Sequence, residues 1–321
     1  MYDLKSFIAD AEKNRVAIGH FNISELGALK AIAEVAKELN LPIIIGTSEG
    51  ERDFIGVRQA VALVKSLREE YNFPIFINAD HTHSLEKVKE AVEAGYDAIL
   101  FDPFDPAQGK AGKLPLEENI KKTREVVEYV KSQNPKILVE GELGYIGSSS
   151  VVFKELPKGA AIEELDLTKP EEAAQFVKET GVDLLAPAVG NIHGILSRTN
   201  TDLTQTHAEN PPLNIARIKE IKEALRQAPA SGKPSAGRQG KSVPLVLHGG
   251  SGTRDEDFIK AIEAGISIIH INTELRVAWR RGLEKAFKES PEEVTPYKLM
   301  QSSLDAIKTV VYNRLRLFNR M

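Results

Sequence analysis

Eight short runs of β-branched and apolar residues, near 16–21, 42–46, 74–78, 97–101, 136–140, 182–188, 244–248 and 267–271, alternate with longer amphipathic segments, and no other feature restricts the fold as much. Segments 25–39 and 116–130 carry apolar residues at three- and four-residue spacing, and comparable stretches lie near 54–67, 85–94, 170–179, 212–225, 255–263 and 274–288. A run too short for a helix, followed by a segment long enough to cross back over a sheet, is the pattern of a βα unit with parallel strands. Eight such units predict an α/β fold whose sheet closes into a (β/α)8 TIM barrel. The chain has 321 residues, 42% of them hydrophobic, enough for one barrel domain over 1–321. An additional C-terminal helical segment near 298–315 follows the eighth unit and is expected outside the barrel.

A barrel of this kind carries its chemistry at the carboxyl ends of the strands. Taken in order, those ends hold His20 and Asn22, Ser48, Asp80 and His81, Asp102, Glu140 and Glu142, Asn191 and His193, His248, and His270 and Asn272. With His83 just beyond His81, six of the seven histidines fall at these ends, and only His207 lies in an evident loop. A strand-end histidine taken singly is more often a hydrogen-bonded structural residue than a ligand. His81, His193 and His248 are different, because each closes an apolar run, is flanked by small or acidic residues, and converges on the same face. Three neutral imidazoles with an open fourth position describe a catalytic Zn²⁺ site. With no cysteine in the chain, thiolate ligands are excluded. Asp80, directly before His81, is placed to act as a base; His83 reads as a supporting or helix-capping group, and His20 as support for the barrel floor near Asn22.

The glycines point to an anion. Gly249-Gly250-Ser251-Gly252 follows the seventh strand and precedes a helix, so its backbone N–H groups face outward with a helix terminus behind them. His270-Ile271-Asn272-Thr273 closes the eighth strand in the same way, and phosphate sites after strands seven and eight recur in barrels. A net charge of -4 gives no footprint for nucleic acid. The sequence shows no stretch apolar enough to span a membrane and no secretory leader pattern, which leads to the expectation of a cytoplasmic protein without a membrane partner. The segment 145–168, after strand five, reads as an active-site lid. Residues 228–243 are low-complexity and basic, and read as a flexible loop on the opposite face.

Together these residues resemble the class II, metal-dependent fructose-bisphosphate aldolase family, which includes the tagatose-bisphosphate aldolases. The likeness is carried by His20-Phe21-Asn22, Thr47-Ser48-Glu49-Gly50, Asn78-Ala79-Asp80-His81, 114–119, 139–144, 190–194 and 248–252. It implies a Zn²⁺ ion on His81, His193 and His248, with Asp102 and Glu142 as ligands of an alternative position and room for a second metal or a monovalent cation. It implies proton transfer by Asp80, phosphate contacts at Gly194, Gly249, Ser251 and Thr273, and substrate contacts at Asn22 and Ser48. The implied reaction is reversible cleavage of a ketose bisphosphate, first of all fructose 1,6-bisphosphate, in a homodimer or homotetramer. Tagatose or sedoheptulose bisphosphate is the alternative substrate, and a non-catalytic sugar-phosphate-binding barrel the alternative class. The chain departs from the family pattern where His270 replaces an asparagine that meets the triose-phosphate part of the substrate, with Asn272 beside it. Ser197 stands where a lysine is frequent, leaving Arg198 to supply the charge, and Glu155 is the candidate lid carboxylate.

Overall fold

The alternation along each strand decides what the barrel holds inside. In the computed structural model, which describes residues 2–103, 114–144, 146–147, 150–156, 164, 167–196, 210–227 and 243–321, parallel strands close into a barrel. They are β1 (Ile18–Asn22), β2 (Ile43–Thr47), β3 (Ile75–Thr82), β4 (Ala98–Phe101), β5 (Leu138–Leu143), β7 (Leu184–Pro187), β9 (Leu245–Leu247) and β10 (Ile266–Ile271). Two short strands, β6 (Val152–Phe153) and β8 (Ile195–Leu196), pair separately with each other. Around the barrel the order is β1-β10-β9-β7-β5-β4-β3-β2, so every connection joins neighbours.

Side chains point inward at every second residue. The innermost apolar layer, with Ile18, Ile44, Phe76, Leu138, Val246 and Ile268, is closed from below by Leu4, Ile8 and Ala11 of α1 (Leu4–Asn14). This helix was not anticipated in the sequence. Two residues further along the same strands stand His20, Asn78, Glu140, His248 and His270, and two beyond those Asn22, Asp80 and Glu142, all buried. The barrel is therefore apolar at its amino end and polar at its carboxyl end. The alternate residues, among them Phe21, Ile45, Ile77, Ile99 and Val139, join the outer core against the helices.

Those helices are α2 (Leu26–Leu39), α4 (Val57–Tyr71), α5 (Leu85–Ala94), α6 (Leu116–Gln133), α7 (Pro170–Thr180), α8 (Ile215–Gln227), α9 (Asp255–Ala264) and α10 (Thr273–Glu289). Their ends follow local chemistry: Ser84 caps α5 by accepting the Lys87 N–H at 3.2 Å, and Asn40 and Asn72 terminate α2 and α4 in the left-handed conformation. The stretch expected as one helix near 54–67 is two, because Gly56 at φ +95° separates α3 (Glu49–Ile55) from α4.

The extra C-terminal segment is present as α11 (Pro296–Leu299) and α12 (Gln301–Phe318), but α12 is not peripheral. Ile307, Val311, Leu315 and Phe318 form a helical stripe buried in the outer core, and the Ala17 N–H donates to the Phe318 carbonyl at 3.1 Å. Gly282 of α10 lets the two helices touch, since a Cβ there would lie 2.3 Å from Ser303 Cα. The helix thus sits within the outer ring, packed on α2 and α10. Of the basic loop expected at 228–243, all but Val243 lies outside the described residues, as does much of the lid segment.

Candidate active site

Asp80 and His81 are adjacent in sequence, and on a regular strand they would face opposite ways. The β3–β4 register prevents this: between two pairs it advances from Ile99 to Phe101 on one strand and from Ala79 to Thr82 on the other, a bulge with one extra residue. His81 takes φ +41°, in the left-handed region that a side chain seldom occupies. Both side chains consequently reach the same cavity, of about 440 Å³, at the carboxyl end of the barrel.

His81, His193 and His248 meet there, with ring centroids 4.9 Å apart for His81–His193, 5.3 Å for His81–His248 and 6.0 Å for His193–His248. Glu142 joins them, and one ligand atom from each of the four lies within 4.8 Å of all the others. Among the described residues, the Nε2 atoms of His81 and His193 are buried without a hydrogen-bond partner. Such atoms are costly unless something positive meets them, so the donor set fits a divalent cation. The next shell orients the ligands: Asp102 Oδ2 lies 3.2 Å from His81 Nδ1, and Glu140 Oε1 lies 2.6 Å from His248 Nε2. Asp102 therefore stands behind His81, while Glu142, 2.9 Å from His248 Nδ1, stands beside the ligands. His83 supports this arrangement, its ring nitrogen 2.6 Å from the Asp102 carbonyl.

Charge follows from this crowding. Burial pulls the His81 pKa down, but Asp80, Asp102 and Glu142 together outweigh it and push it up to about 9. Burial also opposes protonation of His248, yet its two carboxylate partners hold it well above the usual imidazole range. His193, buried and facing two other imidazoles, is held well below it. Asp80 is depressed well below the carboxylate range because the surrounding histidines outweigh its burial. Its Oδ2 accepts the Asn22 amide at 2.8 Å.

The glycine-rich turns expected to face an anion also converge. Gly194, Gly249, Ser251, Asn272 and Thr273 line the cavity. Gly249 and Gly194 adopt φ +60° and +101°, and a Cβ on Gly249 would lie 2.3 Å from the Ile192 carbonyl oxygen. Ser251 Oγ accepts the N–H groups of Asn272 and Glu274, each at 3.2 Å, which ties the loop to the start of α10. Asn210 bridges the carbonyls of Gly194 and Ser251 at 3.1 and 2.9 Å. Ser48 lines the same cavity, whereas Arg198 lies outside the described residues.

Sequence reasoning missed four contributors. Arg52, buried, donates to the Asp80 carbonyl at 2.9 Å and so holds the bulge. Glu51 accepts the Ser48 N–H at 2.8 Å and the Asn22 amide at 2.9 Å; the Ser-x-x-Glu spacing of a capping box was the available signal. Glu140 was noted only as a strand-end residue. Arg276 lines the cavity mouth, paired with Glu51 at 2.8 Å, and had no motif to mark it. Glu155, the candidate lid carboxylate, is exposed in the segment that follows β6.

The model of the class-II fructose-bisphosphate aldolase family matches residues 2–321. The chain belongs to this family. A fructose-bisphosphate aldolase of Geobacillus stearothermophilus is 31% identical over 321 residues, covering 99% of this chain and 96% of that protein. The crystal structure of the YdjI aldolase from Escherichia coli K12 superposes with a TM-score of 0.72 at 27% identity, covering 99% and 96% of the two chains. A fructose-bisphosphate aldolase structure from Campylobacter jejuni, 19% identical over 98% of this chain and 94% of that one, shares the fold with a TM-score of 0.75. This class II aldolase is thus a carbon–carbon lyase of phosphorylated sugars, and its barrel carries side chains grouped as a metal ion would require.

Proposed function

We propose that this aldolase cleaves fructose 1,6-bisphosphate reversibly to dihydroxyacetone phosphate and an aldehyde phosphate, with Zn²⁺ on His81, His193 and His248. The observation that carries this reading is the meeting of two unpartnered imidazole nitrogens, Glu142 and Asp80 in one cavity that also holds the glycine-rich anion cradle. A Zn²⁺ ion at these ligands supplies Lewis acidity for the charge that develops on the ketose carbonyl oxygen during cleavage. Asp80, kept ionised by its histidine neighbours, takes the proton from the C4 hydroxyl as the C3–C4 bond breaks and returns it in condensation. Backbone N–H groups of the 249–252 loop and the α10 terminus receive one phosphate. Arg276 and Ser48, at the mouth, offer a charge and a hydroxyl for the second. The name borne by the Geobacillus relative supports the fructose substrate.

A second substrate reading, another phosphorylated ketose, is favoured by His270, whose buried ring lines the cavity where the family pattern has an amide. The working form in this reading is a cytoplasmic homodimer or homotetramer, to be measured by sedimentation. A cleavage assay with Zn²⁺, run across fructose, tagatose and sedoheptulose bisphosphates with an EDTA control, tests the whole. Activity highest on fructose bisphosphate and abolished by EDTA supports the proposal; preference for another ketose moves the substrate, and no cleavage of any rejects the activity.

A further inference from the structure

Two imidazoles continue a row from the candidate ligand His248. His20 and His270 are register partners on the neighbouring strands β1 and β10, both facing inward, and their rings stack with centroids 3.5 Å apart and planes 1° from parallel. His248, directly after the adjacent β9, covers the other face of His270 at 4.2 Å. The row is built into the barrel: Gly46 of β2 leaves room for His20, since a Cβ there would lie 2.1 Å from His20 Cε1. Asn78 pins the outer ring, its amide nitrogen 3.1 Å from His20 Nε2.

What the middle ring faces is Asp80. The Asp80 carboxylate is 3% exposed; Asn22 donates to Oδ2 at 2.8 Å, while Oδ1 makes no hydrogen bond among the described residues and has His270 Nδ1 3.4 Å away. An imidazole carries a proton on the nitrogen nearer a carboxylate, here Nδ1. Held on both faces, the ring cannot turn away.

We propose that His270 is a positioning residue for Asp80: clamped between His20 and His248, it presents its Nδ1–H to Oδ1 and, with Asn22 on Oδ2, fixes the plane in which that carboxylate exchanges a proton with the sugar hydroxyl. The inference rests on the aldolase reading. In cleavage the hydroxyl O–H bond breaks toward Asp80, the C3–C4 electron pair stays with the dihydroxyacetone phosphate half as an enediolate that then takes a solvent-derived proton on that carbon, and the other half leaves as the aldehyde. Exchange of a dihydroxyacetone phosphate carbon-bound proton with solvent involves no C4 hydroxyl, and so does not require the proton transfer assigned to Asp80.

The two reactions separate the roles. His270→Leu, nearly the same volume without a donor, is expected to bind Zn²⁺ stoichiometrically and to lower kcat for cleavage about tenfold or more, with a smaller loss of deuterium exchange into dihydroxyacetone phosphate. His270→Asn, which restores an N–H donor, should recover part of that loss. A crystal structure of His270→Leu should show the Asp80 carboxylate rotated from its place beside Asn22. Equal loss of exchange and cleavage, loss of Zn²⁺, unchanged cleavage, or an unmoved Asp80 would each overturn the proposal. The wild-type assay decides the aldolase reading separately, since the variants are compared with an active parent.

Discussion

At the scale of single residues, the site depends on protons that must be moved before it works. Without a cation, the carboxylates around His81 raise its pKa and favour its protonated form, and Glu140 and Glu142 do the same for His248. A ligand imidazole must be neutral, so binding Zn²⁺ near pH 7 is expected to release about two protons per site and to weaken as pH falls. Calorimetry in buffers of different ionisation enthalpy measures the number; no proton release would mean that other groups hold the ion. Asp80 gives a different kind of expectation, because it acts on the substrate. Asp80→Ala should lower kcat by about 10²-fold or more with Zn²⁺ still bound. Near-normal turnover in that variant would leave Asp80 only an orienting role.

At the scale of elements, two features hold the cavity in shape. The 249–252 loop depends on a glycine with φ +60° packed against the Ile192 carbonyl. Gly249→Ala should therefore cost about 1–3 kcal/mol in folding stability and raise KM for phosphorylated substrates. Denaturant titration with steady-state kinetics reads both, and an unchanged KM would remove the loop from phosphate binding. Helix α12 works from outside the barrel strands. Its Leu315 is fully buried, while Arg314 pairs with Glu274 at 2.8 Å and Glu274 accepts the Gly252 N–H at 3.0 Å. Leu315→Ala should cost about 2–5 kcal/mol, a core-cavity penalty that a peripheral helix would not show in equilibrium unfolding.

At the scale of the whole molecule, strands from distant parts of the chain supply one ligand set, so cation binding should stabilise the folded state by linkage. With free Zn²⁺ about 100 times its Kd the gain is about 2.7 kcal/mol, and calorimetric scans should show a higher Tm with Zn²⁺ than with EDTA. Equal Tm values would place the ion elsewhere. Among the described residues no helix is long and apolar enough to cross a membrane.

The eightfold alternation of runs and amphipathic segments was enough to define the barrel, because strand and helix periods are local properties of the chain and connections of this length admit parallel neighbours. The strand-end histidines and the Gly-Gly-Ser-Gly turn were legible for the same reason, being polar residues at the ends of apolar runs. Local sequence did not determine the bulge that turns His81 into the cavity beside Asp80; a bulge is a mismatch between two strands, and one strand does not contain it. The insertion of α12 into the helix ring, the Arg52 support beneath the bulge and the row His20–His270–His248 were likewise decided only in three dimensions. Each depends on register or packing between segments far apart in sequence, and such contacts form only once the closed barrel fixes which strands are neighbours.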